Sequence, residues 1–120
     1  MYDKNIQDYL KEYKSSHTSL IVSSDLQNIQ AKLYDYIMVQ ASSQEEMLRI
    51  LNKIYHNLEN GSVLHILDWF SNLEDGPMLA FQSWSSSLHY LKLHTFPVHH
   101  WNERAFIVQK IEDYDKWSDV

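Results

Sequence analysis

The chain contains no cysteine. That rules out a disulfide framework, a thiolate zinc site and a cysteine nucleophile. It fits a reducing compartment, and a cytoplasmic location is the expectation. Glycine and proline are also scarce, two of each in 120 residues. A glycine-rich phosphate cradle or dinucleotide turn cannot be assembled from Gly61 and Gly76 alone. Turns draw heavily on glycine and proline, so their scarcity is the main ground for expecting helices over sheet. Long apolar runs are missing too. Leu20-Ile21-Val22 and Ala105-Phe106-Ile107-Val108 fall far short of the roughly 20 residues needed to span a bilayer. No apolar segment follows Met1-Tyr2-Asp3-Lys4, so neither a signal peptide nor a membrane partner is expected.

The chain does have enough apolar material for a core. Hydrophobic residues make up 44% of it, close to the globular norm, and its length suits one globular domain over residues 1–120. Net charge is −6, with six basic and eight acidic groups in residues 1–60 and four and eight in residues 61–120. Phosphate backbones repel such a surface, so general nucleic-acid binding is not expected, whereas a basic protein partner is compatible.

Periodicity suggests a mainly α fold, a compact bundle of about five helices. Ile6, Tyr9, Leu10 and Tyr13 share one helical face within residues 3–14. Thr18-Ser19-Leu20-Ile21-Val22 reads as a short strand or an extended connector. Ser24 has N-cap chemistry, and Leu26, Ile29, Leu33 and Ile37 continue as a stripe to about Val39. Ser43 with Glu46 forms a capping box, followed by Met47, Ile50, Leu51, Ile54, Tyr55 and Leu58, with Gly61 as C-cap. Residues 43–60 are the best-marked helix. Asn60-Gly61-Ser62 also matches a glycosylation sequon, but a helix stop followed by a cap explains it better.

Ser62 then caps a stretch with Val63, Ile66, Leu67 and Phe70 in step, and Pro77 starts another through Phe81, Trp84, Leu88 and Leu91. The C-terminal third is ambiguous. A helix from Val98 to Tyr114 can be drawn. The alternative is an α+β fold with a small antiparallel sheet from residues 88–96 and 104–111. The expected core is Leu26, Ile29, Leu33, Ile37, Leu48, Leu51, Ile54, Leu58, Leu67, Phe70, Phe81, Trp84 and Phe106.

Four of the seven histidines, His89, His94, His99 and His100, lie within twelve residues. In a helix His99 and Glu103 would share a face. There is no His-Glu-x-x-His motif, and the Glu-x-x-His order of di-metal bundles is reversed. No metal and no cofactor is therefore expected. The nucleophile elbow and phosphate loop are also missing, and no stretch carries a motif that names a family. Helix–Gly61–helix invites a helix-turn-helix reading, but residues 63–73 contain Asp68 and no Lys or Arg.

The aromatics, 13% of the chain with four Trp and eight Tyr, suit binding hot spots. The C-terminal stretch interleaves them with acids. Asp113, Tyr114, Asp115, Trp117 and Asp119 are the candidate partner-binding residues. The reading is a non-enzymatic acidic interaction factor for a protein partner, of the inhibitor, immunity, antitoxin, chaperone or adaptor type, compatible with a homo-oligomer. The alternatives are a histidine-based metal protein or enzyme, and a small DNA-binding regulator.

Overall fold

The computed structural model describes residues 3–13, 18–23, 26–27, 29–88 and 90–111. They form three α-helices and a five-stranded mixed sheet, so the five-helix reading is corrected to an α/β fold. In chain order the elements are α1 Lys4–Tyr13, β1 Ser19–Val22, β2 Tyr34–Val39, α2 Gln44–Ile54, a 3-10 turn Tyr55–Asn57, β3 Leu58–Ile66, α3 Pro77–Ser86, β4 Leu91–Phe96 and β5 Arg104–Lys110. The strands lie in the order β1-β2-β3-β5-β4. The first three are parallel, and β5 runs antiparallel to both β3 and β4.

The helical expectation failed where strands are covered on both faces. Such strands are apolar without alternation, and an unbroken apolar run satisfies helical spacing as readily as any other. Tyr34 to Val39 is buried on both sides apart from Met38, and it is strand, not the end of a helix begun at residue 24. Ser24 itself is outside the described residues. Val63 to Ile66 is likewise buried throughout. The DNA-reading alternative loses its geometry as well, because Gly61 lies inside β3.

The scarcity of glycine and proline also misled. The connection from β2 to β3 is made through α2, not a tight turn, as a parallel pair requires. Two left-handed positions after β3 are filled by Asp68 (φ 55°) and Asn72 (φ 50°), residue types that tolerate that region. Residues 91–96 and 104–110 do pair antiparallel. They form one side of the mixed sheet, however, and are not a separate small sheet.

The helix over 43–60 is shorter than expected. Ser43 is its N-cap, accepting from Glu46 N–H at 3.1 Å, and Met47, Ile50, Leu51 and Ile54 are buried. It ends at Ile54, so Gly61 is no C-cap. Gly61 instead adopts φ 93° where the β2–β3 register skips from Tyr34↔Leu58 to Tyr36↔Val63. Ser62, expected as a cap, is buried in this bulge. Its Oγ donates to Tyr34 O at 2.7 Å and accepts from Glu59 N–H at 2.9 Å.

Two helices cover one face of the sheet. With Leu20, Val22, Ile37, Val39, Leu64, Ile66, Phe106 and Val108 they enclose the larger core. Helix α1 covers the other face, where Ile6 and Leu10 pack on Tyr36, Val63 and Ala105. Of the expected core residues, Ile37, Leu51, Ile54, Leu58, Phe81, Trp84 and Phe106 are buried. Leu26, Ile29 and Leu48 pack at its margin, and Leu67 is half-buried. Leu33 and Phe70 are exposed: Leu33 precedes β2 and Phe70 follows β3, so the periodic stripe does not reach them. No helix among the described residues is long and apolar enough to cross a membrane.

Leu51 is fully buried beneath the sheet. Leu51→Ala therefore costs about 2–5 kcal/mol, measured as a lowered midpoint in urea unfolding with little change in slope.

Candidate functional site: an aromatic turn at the carboxyl end of the parallel strands

The pairing of β3 with β5 brings two turns together. Ile66 pairs with Arg104 across an antiparallel ladder, so the chain leaving β3 and the chain entering β5 meet at the same end of the sheet. Trp69 N–H donates to Asn102 O at 2.9 Å, and Phe70 N–H donates to Asn102 Oδ1 at 2.6 Å. Arg104 Nη1 donates to Trp101 O at 3.1 Å and Glu103 O at 2.7 Å.

The turn is also tied to α1. Asp3 sits just before that helix. Its Oδ1 accepts from Asn5 N–H at 2.8 Å, and its Oδ2 accepts from His99 N–H at 2.6 Å and lies 3.1 Å from His99 Nδ1. Asn5 Nδ2 donates to Pro97 O at 3.1 Å. Burial alone would push the Asp3 carboxyl up, but the N–H groups of His99 and Asn5, with the His99 ring, outweigh it and hold it below its ordinary value.

A third tie runs into the core. His65, next to the last residue of β3, is 2% exposed. Its Nδ1 lies 2.7 Å from the buried Tyr36 hydroxyl and its Nε2 lies 2.7 Å from Glu103 Oε1. A neutral ring with its proton on Nε2 satisfies both contacts, accepting from the phenol and donating to the carboxylate. His100 Nδ1 accepts from Asn102 N–H at 3.1 Å and lies 3.7 Å from Glu103 Oε2.

This framework presents an aromatic surface. Trp101 is 70% exposed although its turn is bonded on several sides. Its ring is nearly parallel to Phe70 (centroids 6.1 Å, 16°) and to His100 (6.1 Å, 17°). The Arg104 guanidinium lies 4.8 Å over the Phe70 ring, and Leu73 is exposed on the neighbouring turn. That turn, residues 67–76, carries Asp68, Glu74 and Asp75 and no Lys or Arg. Gly76 closes it because a Cβ there would collide with the carbonyl oxygens of Ser71 and Asn72.

Beside it lies a cleft of about 450 Å³ lined by Ser23, Gln40, Ala41, Ser42, Glu46, Asp68 and Ser71. Open α/β sheets bind ligands at this end of their strands. The turn after β2 contains no glycine, and the turn after β3 has only Gly76, packed against Ser71 O and Asn72 O, so neither is the glycine-rich turn over which a dinucleotide fold brings its backbone to a pyrophosphate. Both carboxylates are engaged, Asp68 by Gln40 Nε2 at 2.8 Å and Glu46 by Ser42 N–H at 3.3 Å.

Asp113, Tyr114, Asp115, Trp117 and Asp119 lie outside the described residues. Ile111, the last described residue of the C-terminal stretch, is at the opposite end of β5 from Trp101. The histidines disperse: His94 bonds to Gln109 at 2.7 Å, His99 to Asp3 and His100 to its own turn, while His89 is outside the described residues. Among the described residues no three His, Asp or Glu side chains converge as a metal site. Sequence reasoning passed over His65 because a helix over 63–73 would have placed it off the apolar stripe. The unbroken run Val63-Leu64-His65-Ile66-Leu67 was the available signal of a buried strand.

No family model matches the chain, and no curated protein matches it. Among solved structures, a fibrillarin pre-rRNA processing protein of Methanococcus jannaschii is similar over 66% of this chain at 12% identity and a TM-score of 0.39, and the chain spans 37% of that protein's length. A likeness this distant carries no functional argument.

The depressed Asp3 pKa has a fixed sign. Its contribution to stability is complete above the ordinary aspartate value, roughly pH 4, and is lost as pH falls through the lower folded value. Asp3→Asn should therefore lose stability at neutral pH and show a shallower loss between about pH 5 and pH 2, followed by urea unfolding at each pH.

Proposed function

We propose that the protein is a non-enzymatic interaction factor whose aromatic turn docks a cationic segment of a partner protein. The observation that carries this reading is Trp101, 70% exposed on a turn held by α1, by the β3 exit and by the Tyr36–His65–Glu103 chain that runs into the core. An exposed Trp costs binding little when its backbone is already ordered, because less conformational entropy remains to be lost. Flat aromatic faces attract Lys and Arg side chains, and Asp68, Glu74 and Asp75 on the adjoining turn favour the same charge. The acids also argue against a nucleic acid, whose bases would stack on the rings but whose phosphates would be repelled.

In this reading the acidic residues of 112–120 add to the general attraction for a basic partner. Asp113, Asp115 and Asp119 speed encounter, while Tyr114 and Trp117 supply a second contact.

An NMR titration tests the proposal, using a Lys/Arg-rich peptide and a counterpart with Glu in place of every Lys and Arg. The cationic peptide should give saturable shifts around Trp101, and the acidic one none. Trp101→Ala should weaken binding by about thirtyfold, the equivalent of about 2 kcal/mol. Glu74→Gln with Asp75→Gln should weaken the salt dependence. Equal binding of both peptides, or an affinity unchanged in Trp101→Ala, contradicts the reading.

A further inference from the structure

At the other end of the sheet lies a pocket of opposite character. It has a volume of about 430 Å³ and is lined by Ile29, Gln30, Ala31, Lys32, Leu33, Asn52, Lys53, His56 and Asn57. Its walls are the segment entering β2, the last turns of α2 and the 3-10 turn after it, so it opens at the amino ends of the parallel strands. Among the described residues two lysines and a histidine line it and no carboxylate does, in a chain of net charge −6. Among the described residues neither Lys32 nor Lys53 forms an ion pair. Lys32 Nζ stands 5.1 Å over the Tyr34 ring.

The wall that carries Lys32 is ordered from beneath. Asn57 is 5% exposed, and its side-chain amide donates to Gln30 O at 2.8 Å and Lys32 O at 2.7 Å. Lys32 N–H donates to Gln30 O at 2.9 Å, and Gln30 N–H donates to Tyr34 Oη at 3.4 Å. A buried amide with both protons on backbone carbonyls fixes the segment before any ligand arrives. Nearby, the Asn52 amide is exposed on α2.

We infer that this pocket binds a small organic phosphate monoester. Two lysines that line one pocket and form no ion pair among the described residues gain most from a dianion. Lys32, Lys53 and Asn52 offer donors, with His56 a further one. Ile29, Ala31 and Leu33 give an apolar wall for the body of the ligand. The volume lies within the range of small-molecule sites and exceeds the needs of a bare phosphate.

The test uses phenyl phosphate as probe, with benzyl alcohol as its neutral counterpart, followed on the full chain by amide NMR. Phenyl phosphate should shift the side-chain amide of Asn52 and the backbone of residues 30–33 saturably. Lys32→Gln combined with Lys53→Gln should weaken it by about tenfold or more, while Lys92→Gln, on the exposed face of β4, should leave it unchanged. The variants' unfolding midpoints and the signals around Trp101 verify that the fold persists. Absence of saturation up to about 10 mM, equal binding of benzyl alcohol, or an equal loss in Lys92→Gln would overturn the inference.

Discussion

The structure depends on the insertion of β5 between β3 and β4. Without β5 the parallel strands would end in an open edge at β3. With it, β3 is hydrogen-bonded on both sides, parallel to β2 and antiparallel to β5. The register Ile66↔Arg104 makes the exit of β3 and the entry of β5 neighbours, so Phe70 and Trp101 stack although 31 positions separate them in the sequence. The same pairing places Glu103 where it can reach His65. A buried histidine is costly unless both ring nitrogens are satisfied. Tyr36 from β2 and Glu103 from the turn meet that need, and the turn is thereby tied to the interior.

The sheet is asymmetric as a result. Its carboxyl end carries exposed rings beside acids. Its amino end, near the close of α2, carries Lys32 and Lys53, neither in an ion pair among the described residues, around an ordered wall. Both surfaces rest on backbone groups captured by short polar side chains: Asp3, Asn5 and Asn102 at one end, Asn57 at the other. Short side chains of this kind replace glycine and proline in shaping turns, as the left-handed Asp68 and Asn72 also show.

What could be read from the sequence followed from how each element is buried. Helix α2 is amphipathic and capped, so Ser43, Glu46 and the stripe from Met47 to Ile54 are visible in the residue pattern. Helix α1 is visible by its apolar stripe, and the start of α3 by Pro77 at its first turn, where Gly76 supplies no side-chain cap. Strands β2 and β3 were hidden because both of their faces are covered, and a continuous apolar run has no period to distinguish strand from helix. The aromatic turn could not be foreseen either. Phe70 fitted a helical stripe, and Trp101 gains its meaning from a strand pairing that nothing local encodes. The candidates at 113–119 rested on composition alone, and composition carries no information about which residues the fold brings together.

Native-state hydrogen exchange of the amides of Phe70, His99 and Asn102 is the most direct measurement of the central claim, that the fold holds the turn bearing Trp101 in one arrangement. If β5 and its three ties fix the turn, the Phe70 and His99 amides should be protected to within about tenfold of the β3 amides and should open with them. Exchange of those amides at the rate of an unstructured loop, while β3 stays protected, would contradict the account.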